Sequence, residues 1–397
     1  MQVFDSGIPK YDLEHGLAPL TRMVMGKMAI QEVVIVGIVG GSSSGKTDAV
    51  AKKLQKIIGQ DAIIYSMDDL YLGVAYMETE ATKGNILNFD QPESQNLLLL
   101  CQHLKALKAG KPIQKPIYDF ETGETVGFEE LKPHRVIIVE GLFTFYKALK
   151  KEIDIKVFVD VGTHGRAIRR ILRDIKRTGQ KPADILAYFA RVVQPMHERY
   201  IEIQKKDADL IIGNEYRPEI EAQRSGLSEV QLKFPATLNT EFLRSIGAER
   251  LGTVIQTDTY YNPLDRDLRK TGEALRIRKE GSHIILTYKG PAKIESRFRE
   301  RPKIEFEIDA DTEGKFLEIY GRMAKIIEKE RDLHILDGII ISIDTVSKIE
   351  NGKTIELGKF LEIRTTKKGA AQPEIDAVLA KLGLSANQGL KESYVEM

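Results

Sequence analysis

Two rhythms of apolar and polar residues divide the chain. From residue 31 to about residue 215, short unbroken apolar runs alternate with longer periodic stretches. The runs are Val33–Val39, Ala62–Tyr65, Val136–Val139, Lys156–Val159 and Leu210–Ile212. They are rich in β-branched residues, which predicts strands buried on both faces. Lys46–Ile58, Ser94–Ala109 and Arg166–Thr178 read as helices between them. Strands alternating with helices predict an α/β domain, a mostly parallel sheet with helices on both faces. From Glu229 the rhythm becomes strict alternation, in Glu229–Lys233, Ala274–Arg278, Lys303–Glu307 and Phe360–Arg364. Each run puts charge on one face and apolar residues on the other. The pattern alone leaves two readings open. The charged faces meet solvent, as is usual for antiparallel strands, or they line a closed antiparallel barrel. A polar stretch with Pro218, Ser225 and Gly226 separates the halves. The expected organisation is an N-terminal extension, 1–30, which looks partly helical, an α/β domain, 31–214, a linker, 215–227, and a second domain, 228–397.

Composition narrows the classes. Lys plus Arg total 59 and Asp plus Glu 58, a formal net charge of +1. That balance gives no global reason to expect nucleic acid or an acidic membrane as partner, so phosphate affinity must come from local clusters. The single Cys101 excludes an internal disulfide framework and a cysteine-built zinc site, and fits a reducing compartment. The first residues carry Asp5, Lys10, Asp12 and Glu14 in place of the apolar core of a signal peptide. No apolar stretch reaches the roughly 18 residues of a membrane span. A cytoplasmic location is expected.

The strongest chemical signal is Gly40-Gly41-Ser42-Ser43-Ser44-Gly45-Lys46-Thr47, with the spacing G-x-x-x-x-G-K-[ST]. Small residues let backbone N–H groups turn inward around phosphate oxygens. Lys46 adds charge near the β and γ phosphates, and Thr47 offers a hydroxyl to Mg²⁺. The following helix turns its positive end toward the anion. The flanking strand and helix argue against a flexible Gly/Ser linker. Val136–Val139 ends in Glu140, and the run through Tyr65 ends in Asp68 and Asp69. Strand ends are where ligands bind in parallel α/β sheets. Glu140 is placed to hold Mg²⁺, directly or through water, and a carboxylate at the second position to take a proton from an acceptor hydroxyl. Acids at strand ends also serve simply as helix caps.

These elements, in order, resemble the uridine kinase family within the phosphoribulokinase-like group. The resemblance covers about residues 33–214. Its motifs are Gly40 to Thr47, Ser66-x-Asp68-x-x-Tyr71, Asn88-Phe89-Asp90-x-Pro92, Pro116–Phe120, Val139-Glu140-Gly141, Arg169–Asp174, Gln194–His197 and Ala208–Ile212. The resemblance implies Asp68 as catalytic base, Asp90, Tyr118 and Tyr71 at the acceptor site, and Arg169 and Arg173 near the phosphates. Two positions depart from it. No histidine follows the Tyr118-Asp119-Phe120 run, and Ala183-Asp184 stands near the family's lid glutamine. The run Arg173–Pro182 is closer to the kinase-like domain of plant triphosphate tunnel proteins, in which such a domain precedes a tunnel domain.

Residues from about 228 resemble the CYTH, or triphosphate tunnel, family. The motifs are Glu229–Pro235, Gln256–Tyr261, Leu275–Arg278, Leu286–Gly290, Asp344–Val346, Leu357–Ile363 and Lys391–Tyr394. With this resemblance the charged-interior barrel becomes the favoured reading. It implies a tunnel holding a metal-triphosphate complex. The cations would be Lys233, Arg276, Arg278, Lys289 and Arg331, with Arg297, Arg299 and Lys329 nearby. The acids would be Glu229, Glu305, Glu307, Asp344 and Glu362, ligands for Mg²⁺ or Mn²⁺. The family's E-x-E-x-K opening has Gln231 in its second acidic place, and its late E-x-E pair has Arg364.

The leading expectation is transfer of the γ-phosphoryl of Mg-ATP to the hydroxyl of a small-molecule acceptor, a nucleoside such as uridine or cytidine or a related sugar. The tunnel is expected to bind a nucleotide or polyphosphate. Two alternatives stand beside it: metal-dependent hydrolysis of pyrophosphate or a triphosphate in the tunnel, and nucleotide sensing without turnover. Both families often self-associate, which makes a homo-oligomer plausible.

Overall fold

The computed structural model describes residues 2–3, 7–85, 87–215, 228–263, 267–291, 299–320, 323–365, 371–390 and 392–397. The chain divides into two compact units. One holds Met1–Gly179 with Tyr188–Tyr216, and the other Gln180–Ala187 with Arg217–Met397. Most of the expected linker lies outside the described residues.

Among the described residues the first unit is built on nine strands: β1 (Gln2–Val3), β2 (Pro9–Asp12), β3 (Val34–Gly40), β4 (Ala62–Ser66), β5 (Ile113–Asp119), β6 (Glu124–Leu131), β7 (Val136–Gly141), β8 (Ile155–Asp160) and β9 (Leu210–Gly213). Seven form one sheet in the order β1-β2-β9-β8-β3-β7-β4, while β5 and β6 form a separate hairpin. Every pairing in the large sheet is parallel except that of β1 with β2. The apolar runs β3 and β7 are buried at every position. Their alternate residues feed two cores. Val34, Val36 and Ile38 pack with Leu20 and Val24 of α1 (Leu13–Met28) and Leu54 of α2 (Lys52–Ile58). Ile35 and Val39 join the cluster of Leu100 and Leu104 from α3 (Leu97–Lys108). The first thirty residues therefore add α1 to one face and β1 and β2 to one side of the sheet, where Lys10 of β2 pairs with Ile211. A further helix, α4 (Thr163–Thr178), follows β8.

The second unit is a closed barrel of eight strands: β10 (Ser228–Pro235), β11 (Glu249–Tyr261), β12 (Ala274–Glu280), β13 (His283–Lys289), β14 (Arg299–Ile308), β15 (Met323–Leu336), β16 (Ile339–Glu350) and β17 (Lys353–Thr365). All neighbours are antiparallel, and closure comes from β10, which pairs with both β14 and β17. The apolar face of the alternation turns outward. Val230, Leu232, Phe234, Ile341, Leu361 and Ile363 pack under Leu243 of helix Thr240–Ser245 and under Ile375, Val378 and Leu379 of helix Ala371–Leu382. The charged face is left for the lumen, and Arg276 and Arg278 are buried there. Of the two readings open from the pattern, the structure takes the charged interior. An eight-stranded barrel has an interior that side chains fill or that holds one small ligand.

Candidate functional site

The first site forms where β3 ends. Ser43 (φ 62°) and Gly45 (φ 80°) take left-handed conformations that turn the loop around. A Cβ on Gly45 would lie 2.5 Å from Nδ2 of Asn214, and one on Gly41 2.7 Å from Nδ1 of His197. The glycines at these places let side chains of distant segments touch the loop. Asn214 Nδ2 donates to the Ser44 carbonyl at 2.7 Å. Arg170 Nη1 donates to Ser42 Oγ at 2.9 Å. Helical structure begins at Lys46, first as a π-type turn and then as α2.

Glu140, at the end of β7, is buried beside this loop. Thr47 Oγ1 donates to its Oε2 at 3.0 Å and Ser66 Oγ to its Oε1 at 2.9 Å. Burial pushes the Glu140 carboxyl up; Lys46 pulls it down and Asp68 adds to the rise. Carboxylate and hydroxyl here are hard oxygen ligands of the kind Mg²⁺ takes together with substrate phosphates. These residues fit that ion.

A cleft of about 400 Å³ opens next to the loop. Ser42, Ser43, Lys46, Asp68, Asp90 and Tyr118 all border it. Asp90 is buried, and burial raises its carboxyl against the pull of Arg170, Lys46 and Arg173. Tyr71 stacks obliquely on Tyr118, ring centres 5.5 Å apart, and donates its hydroxyl to the Phe89 carbonyl at 3.2 Å. Burial pushes the Tyr71 hydroxyl well up, with Asp68 and Asp90 adding to it. From α4, Arg170, Arg173 and Arg177 border the cleft, and Arg177 lies 4.5 Å above the Phe120 ring. Arg169 points elsewhere, donating to the backbone carbonyls of Ser44 and Glu215. So the structure gathers Ser42, Ser43, Lys46, Asp68, Tyr71, Asp90, Tyr118 and Arg173 around one cleft, with Glu140 behind the loop on Thr47 and Ser66. Arg169 braces the loop from behind. Asn214 was not singled out from the sequence, and Arg170 and His197 stood there only inside motifs, with no role assigned. Their signals were faint: Asn214 opens the polar stretch, and Arg170 sits inside a run of arginines.

The second site is the barrel lumen. Its free space is about 60 Å³. Among the described residues its wall carries eight Lys and Arg side chains and two Glu. The cross-strand register sets charges opposite each other: Lys233 faces Glu362, Asp258 faces Arg278, Arg331 faces Asp344, and Gln231 faces Arg364. Asp258, fully buried, accepts from Arg276 at 2.8 Å, from both ends of the Arg278 guanidinium at 2.6 and 2.9 Å, and from Lys329 at 2.5 Å. Burial alone would raise its carboxyl, but Arg276, Lys329 and Arg278 outweigh burial and hold it well below the usual range. Arg331 bridges Asp344 at 2.5 Å and Glu362 at 3.2 Å. The last residues close one end. Tyr394 donates its hydroxyl to Asp344 at 3.0 Å, Lys233 donates to the Glu392 carbonyl, and the Lys233 ammonium lies 4.1 Å over the Tyr394 ring.

Glu305 and Glu307 follow Arg301 on the same face of β14; Glu305 lies 3.7 Å from Arg276, and Glu307 is exposed. Glu305 bonds Thr287, and Glu307 pairs with exposed His283. Lys289 lines the lumen. The Glu229 and Arg299 side chains and all of Arg297 lie outside the described residues. Asp258 was not singled out from the sequence, although it anchors the cation cluster.

Family models match in two successive blocks. The Phosphoribulokinase / Uridine kinase family matches residues 35–219, and the CYTH domain matches residues 227–394. A uridine kinase of Chlamydia pneumoniae is 32% identical over 196 residues, covering 49% of this chain and 87% of that protein. One of Bacillus pumilus is 38% identical over 184 residues, 45% of this chain and 85% of that protein. The Arabidopsis thaliana protein named inorganic pyrophosphatase TTM2 is 27% identical over 322 residues, which is 80% of this chain and 46% of that protein. The chain thus spans about half the length of the plant relatives that it matches across both domains. With its phosphate loop, carboxylate-ended strands and arginine helix in the family's order, the chain belongs to the phosphoribulokinase and uridine kinase family, and a CYTH domain follows its kinase-like domain.

Proposed function

We propose that the chain is an ATP-dependent phosphotransferase acting through its first unit on a nucleoside-type hydroxyl. The observation that carries this reading is the joint grip of Thr47 and Ser66 on Glu140 at the edge of a cleft that also holds Asp68 and Asp90. Backbone N–H groups of Gly40 to Thr47 hold the phosphates. Thr47 and Glu140 hold Mg²⁺, which neutralises charge on the phosphates when bound. Asp68 accepts the proton of the acceptor hydroxyl. Lys46, Arg170 and Arg173 face the charge that develops on the transferred group, where fixed cations need no reorganisation. Tyr71, Tyr118 and Phe120 offer ring faces on which a base can stack. The tunnel binds a nucleotide or polyphosphate.

A second reading is hydrolysis of a pyrophosphate bond. It is motivated by the name inorganic pyrophosphatase on relatives that align with both domains. Phosphorus NMR of the full chain with Mg-ATP, with and without a mixture of uridine and cytidine, separates the two. ADP and a nucleoside monophosphate formed only with nucleoside, and lost in Lys46→Ala, are expected. Phosphate or pyrophosphate released regardless of nucleoside would reject the kinase reading in favour of the second.

A further inference from the structure

The lumen of the barrel carries a charge imbalance that a divalent ion would deepen. Among the described residues its cations outnumber its carboxylates, and each of its buried aspartates and Glu362 already faces a cation. Asp258 serves three cations, Asp344 serves Arg331 and the Tyr394 hydroxyl, and Glu362 serves Arg331. One oxygen of this set, Asp344 Oδ1, has no hydrogen-bond partner. A hard dication takes about six oxygens, and a protein site for it supplies at least one or two carboxylates free to bind it. No group of three His, Cys, Asp or Glu among the described residues is arranged to hold a metal. Where a further carboxylate would have to stand, the β10–β17 register sets the neutral amide of Gln231 opposite the guanidinium of Arg364. An arginine repels a dication and attracts phosphate, to which its planar fork can bond twice. Among the described residues, the donor set of the lumen therefore does not fit Mg²⁺ or Mn²⁺.

We propose that the tunnel binds a linear polyphosphate as the bare anion, without a divalent metal, its charge met by Arg276, Arg278, Lys289 and Arg364. This rests on the reading of the tunnel as a polyphosphate site. The electrostatics of the lumen agree with it. Burial pulls the Lys329 ammonium well below its usual value, Asp258 opposes the fall, and Arg278, Arg331 and Arg276 add to it. A polyanion entering this cluster relieves the mutual repulsion of its cations.

The test is calorimetric titration of the full chain with inorganic tripolyphosphate, once in EDTA and once with excess Mg²⁺. Binding in EDTA, weakened by Mg²⁺ because the ion competes for the ligand, is the expected result. It should fall about tenfold in Arg364→Gln and in Lys289→Gln, the loss of one charged hydrogen bond, with thermal melting as the check on folding. The pair Gln231→Glu with Arg364→Glu should weaken binding in EDTA further. Binding that appears only with Mg²⁺ or Mn²⁺ overturns the inference and leaves the polyphosphate reading standing. Binding unchanged in both single variants assigns the ligand to the first unit and also overturns the inference. No binding under any condition overturns the polyphosphate reading itself.

Discussion

Glu140 in the cleft and Asp258 in the barrel are both buried carboxylates, yet their surroundings drive them in opposite directions. Glu140 is held by two neutral hydroxyls, from Thr47 and Ser66, and burial raises its pKa. Asp258 is held by Arg276, Arg278 and Lys329, and these cations hold its pKa far down despite complete burial. Burial sets the same penalty at both places; the partners decide the outcome. A carboxylate held by hydroxyls has no side-chain ion pair of its own. One surrounded by cations has no charge to spare, and the excess positive charge awaits an anion. On the function proposed above, the chain would meet phosphate in two distinct ways, by backbone amides and a metal ligand in one unit and by side-chain cations in the other.

The contrast can be broken at three places. The largest effect is expected at Asp258. Asp258→Ala leaves buried cations without their counter-charge and should destabilise the barrel by about 3–5 kcal/mol, read from urea unfolding. A loss below about 1 kcal/mol, the size of an ordinary hydrogen bond, would show that the cluster is solvated and that the contrast is unfounded. A smaller effect is expected at Asn214, whose amide holds the Ser44 carbonyl by a neutral hydrogen bond. Asn214→Ala should weaken Mg-ATP binding about fivefold, equivalent to about 1 kcal/mol, in a nucleotide titration. The smallest effect concerns acid. Burial would raise Glu362, but Arg331, Arg364, Lys329 and Lys289 bring it down to about 2 from an ordinary value of 4.5. Because its folded pKa is depressed, its contribution to stability is complete above pH 4.5 and is lost as pH falls toward 2. Melting temperature against pH should fall less steeply through this window in Glu362→Gln than in the unaltered chain. Equal slopes would place the acid sensitivity elsewhere.

What could be read from the residues alone follows the same division. The runs at β3, β4, β7, β8 and β9 were legible because strands buried on both faces leave no polar position to confuse the pattern. The phosphate loop was legible because its chemistry demands glycine at fixed spacing. Hairpin β5–β6 was not, since Pro116 sits inside β5, where proline argues against a strand. In the barrel, β10, β12, β14 and β17 announced themselves by alternation. Strands β11, β15 and β16 did not. Register shifts near Arg250 and Val346 interrupt their pairing, and each such shift disturbs which side chains face inward. Alternation also cannot say which face is the inside. That depended on helices Thr240–Ser245 and Ala371–Leu382 covering the apolar side. Arg169 shows a further limit: neighbouring arginines on one helix point to different places, and only Arg170 and Arg173 of that run border the cleft.

The closure of the barrel sets a timetable for the newborn chain. Strand β10 is the first of the eight to leave the ribosome, but its partners are β14 and β17. Val230 must wait for Thr365 to be synthesised before it can pair with it. Until then both edges of β10 stand open, and open edges invite wrong partners. Pairings so distant in sequence are slow to form because a long loop must close first. The barrel is therefore the part of the molecule whose folding should gain most from slow translation, low temperature or a chaperone that shields strand edges.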